Sequence, residues 1–141
     1  MAPNATLMCV KALSDEGAGT VDHINNGMEW AIEHQADVLS LSLGIPNSTT
    51  TERTILRRTC VNALNLGIVA AIAAGNEGNM QWQAPIPNNV RVPGSCPPPW
   101  LHPDQADVNP GELSCTVSVG AVNYNDIAAA FSSNGPVTWQ E

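Results

Sequence analysis

The feature that most constrains the fold is the run Ile-Val-Ala-Ala-Ile-Ala-Ala at residues 68–74, which ends at Gly75-Asn76. A short strand without polar alternation is typical of a parallel sheet that is buried on both faces by helices. Even extended back to Leu64, the apolar stretch is too short to cross a bilayer. The run therefore predicts a buried strand followed by a sharp turn that carries an asparagine.

The rest of the chain alternates between the periodicities of strands and helices. We predict further strands at residues 6–13, 37–43 and 116–122, and helices at residues 20–35 and 52–66. Thr20 is the expected N-cap of the first helix, and Gly67 the expected end of the second. This order predicts an α/β fold with three α/β/α layers and a mainly parallel sheet. Binding groups are then expected at the carboxyl ends of the strands.

Composition excludes some classes of partner. The net charge is −8, and the chain has only 5 Lys and Arg residues in 141, without a basic cluster. Because phosphate backbones are bound by cations, nucleic acid is not an expected partner. The N-terminus lacks a basic region followed by an apolar one, so we expect no signal peptide there. We expect neither a membrane partner nor an evident cofactor, and the compartment is left open.

The four cysteines allow several states. We expect Cys9, in a strand-like run, and Cys60, in a helix-like run, to be buried apolar side chains. Cys96 and Cys115 flank a proline-rich loop, where they could form a disulfide, stay free, or bind zinc together with His102.

Three short motifs lie where the predicted strands end. Asn76 in Ala74–Gly78 could offer a neutral amide to a developing negative charge, or could simply belong to a turn. Gly44 could let a peptide pair with the end of its strand, or could simply end that strand. Gly17-Ala18-Gly19 resembles a dinucleotide-binding turn, but Asp22 stands where the third glycine is required.

Taken in order, these pieces resemble the subtilisin family of serine proteases. The similar stretches are APNATL at 2–7, VKAL and GAG within 10–19, NGMEWA within 24–32, DVLSLSLG at 37–44, GIVAAIAAGNEG at 67–78, and VSVGAV, FSS and GP within 117–136. The similarity covers nearly the whole chain with matching order and spacing. It implies a subtilisin-like sheet and hydrolysis of peptide bonds in an extended polypeptide.

The resemblance also implies a role for particular residues. Asn76 corresponds to the side-chain donor of the oxyanion hole. The residues that correspond to the substrate-binding cleft are one wall of the specificity pocket (Ser42, Leu43, Gly44), the opposite wall (Ala73, Ala74, Gly75) and the edge that pairs with the substrate backbone (Gly17, Ala18, Gly19).

The chain departs from the family pattern at its reactive groups. Segments that resemble HGTHVAG, GTSMA or the D-T/S-G strand have no counterpart, and His23, His34 and Ser132-Ser133 lack the context of the triad. We therefore interpret residues 1–141 as a partial peptidase domain, with residues 85–115 as a loop insertion. The alternative is a non-catalytic module that binds peptides or a partner.

Further expectations follow from the family. Its aspartate-bearing strand lies between the counterparts of residues 6–13 and 37–43, which leaves these two segments without their shared neighbour. Partners could be the other parts of a protease domain or a second copy of the chain. Calcium is possible in the parent family, whose members are often secreted.

Overall fold

A computed structural model describes residues 2–86, 89–96, 114–135 and 137. Two helices and three strands follow one another in the order α1 (Val21–Glu33), β1 (Val38–Leu41), α2 (Thr50–Asn65), β2 (Val69–Ala73) and β3 (Val117–Val119). The strands form one sheet in the order β1-β2-β3, and both pairings are parallel. The predicted α/β class with a parallel sheet and flanking helices is confirmed, in an incomplete form.

The register of the sheet brings the carboxyl ends of its strands to one edge. Leu41, the last residue of β1, pairs with Ile72, and Ala73, the last residue of β2, pairs with Val119. The segments that follow β1 and β2 therefore start side by side. This is the edge at which the sequence predicts the binding groups.

The first helix forms where its apolar stripe and its cap predict it. The Thr20 side chain accepts a hydrogen bond from the His23 backbone N–H at 3.3 Å, which satisfies an amide that the first turn leaves unpaired. At the other end, Gln35 adopts a left-handed conformation with φ 61°, and Ala36 N–H donates to Ala31 C=O. The stripe lies in the core, with four buried residues: Ile24, Met28, Ala31 and Ile32.

The second helix begins two residues before its predicted start. Thr49 caps it, because its hydroxyl accepts from Glu52 N–H while the Glu52 carboxylate accepts from Thr49 N–H at 2.7 Å. Gly67 follows the helix at φ 79°, and its N–H donates to Leu64 C=O. The next N–H, of Ile68, donates to Ala63 C=O, so the predicted glycine ending is a complete Schellman motif.

One face of the sheet packs against the helices. Leu39 of β1 and Ala70 and Ile72 of β2 are buried in the core together with the inner faces of α1 and α2. The other face is different, because Val38, Val69, Val117 and Val119 are each at least 51% exposed. The prediction that residues 68–74 are buried on both faces is therefore wrong. Among the described residues, only one face of β2 is covered by other parts of the chain.

Residues 6–13 do not form the predicted strand. Within the described residues they belong to no strand, and Leu7 is 86% exposed. A helix forms its backbone hydrogen bonds within itself, whereas a strand needs a neighbouring strand to bond to. The sheet begins at β1, and β1 does not pair with residues 6–13. Cys9 lies in the segment and is exposed, so its predicted burial is wrong, whereas Cys60 is buried as predicted. Neither helix is long and apolar enough to cross a membrane.

We expect Gly67→Ala to lower the free energy of unfolding by about 1 kcal/mol, since a side chain opposes a left-handed backbone. A Cβ atom at Gly67 would meet nothing within 4 Å, so the loss would come from the backbone alone. Urea denaturation measures it. The matched control is Gln35→Gly, at the equivalent position after α1, which should leave stability unchanged or higher. A loss in the control, or none in Gly67→Ala, would contradict the assignment.

Candidate functional site

The candidate site is built on the turn that follows β2. Ala74 is fixed from both sides, because its N–H donates to Val119 C=O and its C=O accepts from Arg91 N–H, each at 2.9 Å. Gly75 then takes φ 117°, a conformation that residues with a side chain rarely adopt. The chain thereby turns out of the sheet and presents Asn76 at the edge.

Asn76 is held by its backbone and not by its side chain. Its N–H donates to the Glu77 carboxylate at 2.9 Å. The residue is exposed, and within the part of the chain that the structure describes, its side-chain amide makes no hydrogen bond. An anchored backbone with a free amide is what a donor for an external oxygen requires.

The Glu77 carboxylate is the centre of the network behind this turn. It accepts from Arg91 Nε at 3.0 Å and from Arg91 Nη2, and the Ser133 hydroxyl donates to it at 3.2 Å. The Glu77 side chain is only 10% exposed. The hydrogen bonds from Arg91 hold the pKa of Glu77 below its usual value, although burial alone would raise it.

Two more polar side chains fix the loop around the turn. Asn89 is 1% exposed; its amide donates to Glu77 C=O and Ala84 C=O, and its Oδ1 accepts from Asn134 N–H. The Ser133 hydroxyl accepts from Glu77 N–H at 3.0 Å. Buried polar groups that are satisfied in this way hold one conformation. Ser133 is thus a structural residue of the turn.

The two predicted walls lie close together and are joined by residues 91 and 92. Ile45 and Val92 exchange both backbone hydrogen bonds, at 2.9 and 3.3 Å. Arg91 links the two walls. Its backbone N–H donates to the Ala74 C=O, and its Nη1 lies 3.4 Å from the Gly44 carbonyl oxygen. The structure therefore brings residues 42–45 and 73–76 to one edge.

The predicted backbone-pairing edge at residues 17–19 forms a separate turn. Ser14 N–H donates to Ala18 C=O at 2.8 Å, and Gly17 has φ 77°. Among the described residues, no hydrogen bond joins this turn to the ends of β1 or β2. It borders a cleft of about 670 Å³ that is lined by residues 9–14 and by four residues of α1: His23, Asn26, Gly27 and Trp30. Because residues 2–16 contain no strand, the dinucleotide-binding hypothesis lacks the structural context that it needs.

Three of the four cysteines are buried, and none of them forms a disulfide in the described part of the chain. Cys60, Cys96 and Cys115 lie in one core cluster, and burial raises the pKa of Cys96 well above its usual value and that of Cys115 to about 12. The structure contains no disulfide between Cys96 and Cys115, one of the alternatives left open by the sequence. His102, the third residue of the zinc alternative, lies outside the described residues. Among those described, no three His, Cys, Asp or Glu side chains are grouped to hold a metal ion.

The sequence did not reveal the network that supports the turn. Glu77 stands in a motif that was singled out for Asn76, and Arg91, Asn89 and Ser133 were not assigned to the site. One signal was available for Arg91, which is one of only 5 basic residues and interrupts an otherwise uncharged stretch. A lone cation of this kind is rarely left unpaired once it is partly buried.

Comparisons with known proteins identify the family of the chain. The family model described as the subtilase family, Peptidase S8, matches residues 1–141. The chain belongs to the subtilase family. Subtilisin E from Bacillus subtilis is 36% identical over 135 residues, which are 96% of this chain and 29% of subtilisin E. The Bacillus pumilus subtilisin is also 36% identical, and the chain covers 40% of its length. The chain thus spans well under half of these relatives.

Solved structures show the same fold. A lanthipeptide protease superposes with a TM-score of 0.68 at 20% identity, over 93% of this chain and 35% of its own. The epidermin leader peptide processing protease of Staphylococcus aureus gives 0.66 at 16% identity, over 94% and 32%. At such identities the likeness is evidence of fold. It supports an incomplete subtilase α/β domain.

We expect Glu77→Gln to lower the free energy of unfolding at pH 7 by about 2 kcal/mol, because it leaves Arg91 with a neutral partner. Since the pKa of Glu77 is lowered by folding, its carboxylate stabilises the protein above the usual carboxyl value of 4.5. That contribution is lost as the pH falls through the lowered pKa. The difference between wild type and Glu77→Gln should therefore shrink below about pH 4.5.

Urea denaturation at several pH values measures this difference. Glu33→Gln, which changes an exposed carboxylate of α1, is the control and should differ little from wild type at pH 7. A Glu77→Gln difference that is independent of pH would show that the ion pair does not stabilise the turn.

Proposed function

We propose that this chain supplies the oxyanion hole and the substrate cleft of a serine endopeptidase. The observation that carries the proposal is the free Asn76 amide on a turn that the Glu77 network holds rigid, beside the end of β1. The membership in the subtilase family suggests the reaction, which is hydrolysis of a peptide bond. The geometry of the turn suggests the role of this chain in that reaction.

The proposed chemistry needs a neutral donor at this place. When a serine attacks a peptide carbonyl, negative charge develops on the carbonyl oxygen. A donor that is already oriented stabilises this charge without reorganising during the reaction. Asn76 fits, since its backbone is anchored and its amide is free. This role uses no cofactor, and calcium stays an expectation from the family.

The substrate would lie as an extended strand across the edge of the sheet. Residues 42–44 and 73–75 would form the walls of the pocket for one side chain, and the substrate backbone would pair as an added strand. Residues 17–19 would supply the second backbone edge. A polypeptide is the substrate class that this arrangement fits.

The nucleophile, the base and its aspartate would come from outside these 141 residues. No segment of the chain resembles the family motifs that carry them. The missing strand between residues 6–13 and β1 would come from the same source, and contact with those parts, or with a second copy, would cover the open face of the sheet. The chain by itself would then bind and orient substrate without cleaving it.

We expect Asn76→Ala, made in the full-length protein that contains this segment, to lower kcat with little change in KM, since the amide acts mainly in the transition state. The expected loss is about 100-fold, which is the size known for the corresponding amide of subtilisin itself. Hydrolysis of a chromogenic peptide measures it. Asn79→Ala, an exposed residue of the same loop, is the matched control. Equal effects of the two substitutions would refute the role of Asn76.

A second candidate function is peptide binding without catalysis, favoured by the absence of the triad motifs. A fluorophosphonate probe, which labels activated serines, distinguishes the two. We expect the 141-residue chain to stay unlabelled and the full-length protein to be labelled at one serine. A full-length protein that binds peptides but takes no label would support the binding module, and a labelled isolated chain would contradict the proposed division of the site.

A further inference from the structure

The space between the two walls is already occupied by a side chain of the protein. A Cβ atom placed on Gly44 would lie 2.7 Å from Arg91 Cβ and 3.2 Å from Arg91 Cδ. A Cβ atom placed on Gly75, on the opposite wall, would lie 3.0 Å from Arg91 Cγ. The aliphatic part of Arg91 therefore packs against the backbone of both walls at once.

The head of Arg91 is fixed as firmly as its stem. Its guanidinium donates to both Glu77 carboxylate oxygens, and its Nη1 faces the Gly44 carbonyl oxygen. The Arg91 side chain is 32% exposed and the Glu77 side chain only 10%, so the pair lies at the bottom of the edge with the arginine nearer to solvent. A planar guanidinium bound by a carboxylate through two bonds has a well-defined position.

The pair also cancels charge at this place. With Arg91 present, the recess ends in a neutral ion pair that is satisfied within the protein. Without it, the Glu77 carboxylate would face the emptied space, since Ser133 and the Asn76 N–H would be its remaining partners among the contacts described. Such a carboxylate would attract a cation from outside.

We propose that Arg91, clamped by Glu77 between the ends of β1 and β2, is a specificity-determining residue that restricts the peptide side chain bound between these walls to a small one. The inference rests on the proposed function, because it assumes that a peptide binds at this edge. It adds the substrate class: the residue held between the walls would be glycine, alanine or serine, and large apolar or charged side chains would be excluded.

Binding of a peptide series to the 141-residue chain tests this. The peptides are fluorescent, share one sequence, and carry alanine, leucine or lysine at the varied position. For wild type we expect alanine to bind at least about tenfold more tightly than leucine or lysine, as size exclusion in a pocket predicts. Peptides with N-methylated backbones are the control for strand addition and should bind weakly throughout.

Variants separate the effects of size and charge. Arg91→Ala should improve binding of both leucine and lysine by about tenfold. Arg91→Met keeps the stem, which should still exclude the branched leucine side chain, but removes the guanidinium that neutralises Glu77. The unbranched lysine side chain could then place its ammonium where the guanidinium was, so this variant should improve lysine and not leucine. Arg91→Ala combined with Glu77→Gln should keep the gain for leucine and lose the gain for lysine. Arg58→Ala, an exposed arginine of α2, is the matched control and should keep the wild-type order.

The outcomes are distinguishable. If wild type binds leucine or lysine as well as alanine, or if the Arg91 variants keep the wild-type order, the role of Arg91 is overturned. If no peptide binds to any variant, the proposed function fails for this chain. Thermal denaturation then tests whether removal of the Arg91 side chain leaves a space that can be filled. Ethylguanidinium, which mimics the end of that side chain, should raise the Tm of Arg91→Ala and not that of wild type or Arg58→Ala. Absence of that shift would overturn the inference as well.

If Arg91→Ala does not fold, Arg91→Met decides alone. Its gain for lysine without a gain for leucine supports the inference, and an unchanged order of affinities overturns it.

Discussion

The site depends on the Glu77 carboxylate. It receives hydrogen bonds from the backbone of Asn76, the guanidinium of Arg91 and the hydroxyl of Ser133, residues that belong to three separate segments of the chain. Because most of this carboxylate is removed from water, each of these bonds is stronger than it would be at the surface, and losing one would be correspondingly costly. The turn that carries Asn76 is rigid for this reason, and the proposed oxyanion donor inherits that rigidity.

The parallel register of the sheet is the second constraint on the site. It places the ends of β1 and β2 side by side, so that Gly44 and Gly75, which are distant in sequence, both lie against Arg91. Both glycines are needed for space, since a side chain on either would meet Arg91. Gly44 was predicted to let a substrate backbone approach, and in the structure it also makes room for the Arg91 side chain. This makes Gly44 a poor position at which to test peptide binding, because a larger residue there would displace Arg91.

The open face of the sheet and the unpaired segment at residues 6–13 have the same cause, since both lack the neighbouring elements that would cover or pair with them. Exposed valines on β1, β2 and β3 form an apolar surface that, in a subtilase domain of full length, further elements would be expected to cover. The described residues thus contain part of an α/β domain, with its core between the helices and one face of the sheet. The carboxyl-end edge is shaped within this part, because the bonds that fix it run between β1, β2 and the segments at residues 89–96 and 132–134.

Residues that act locally were read correctly from the sequence. Contacts between residues that are close in sequence make the apolar stripe of α1, its Thr20 cap and the Gly67 ending of α2. The alternation of helices and strands correctly predicted the parallel sheet. Asn76 was placed at a strand end by the same reasoning. Tertiary structure alone decided the rest: residues 6–13 are not a strand and Cys9 is exposed because a strand requires a distant neighbour. The partners of Glu77 were hidden for the same reason, since Arg91 is 14 residues away and Ser133 is 56. Local sequence fixes a helix because its hydrogen bonds are local, whereas a strand's neighbours and a buried carboxylate's partners are chosen by the fold.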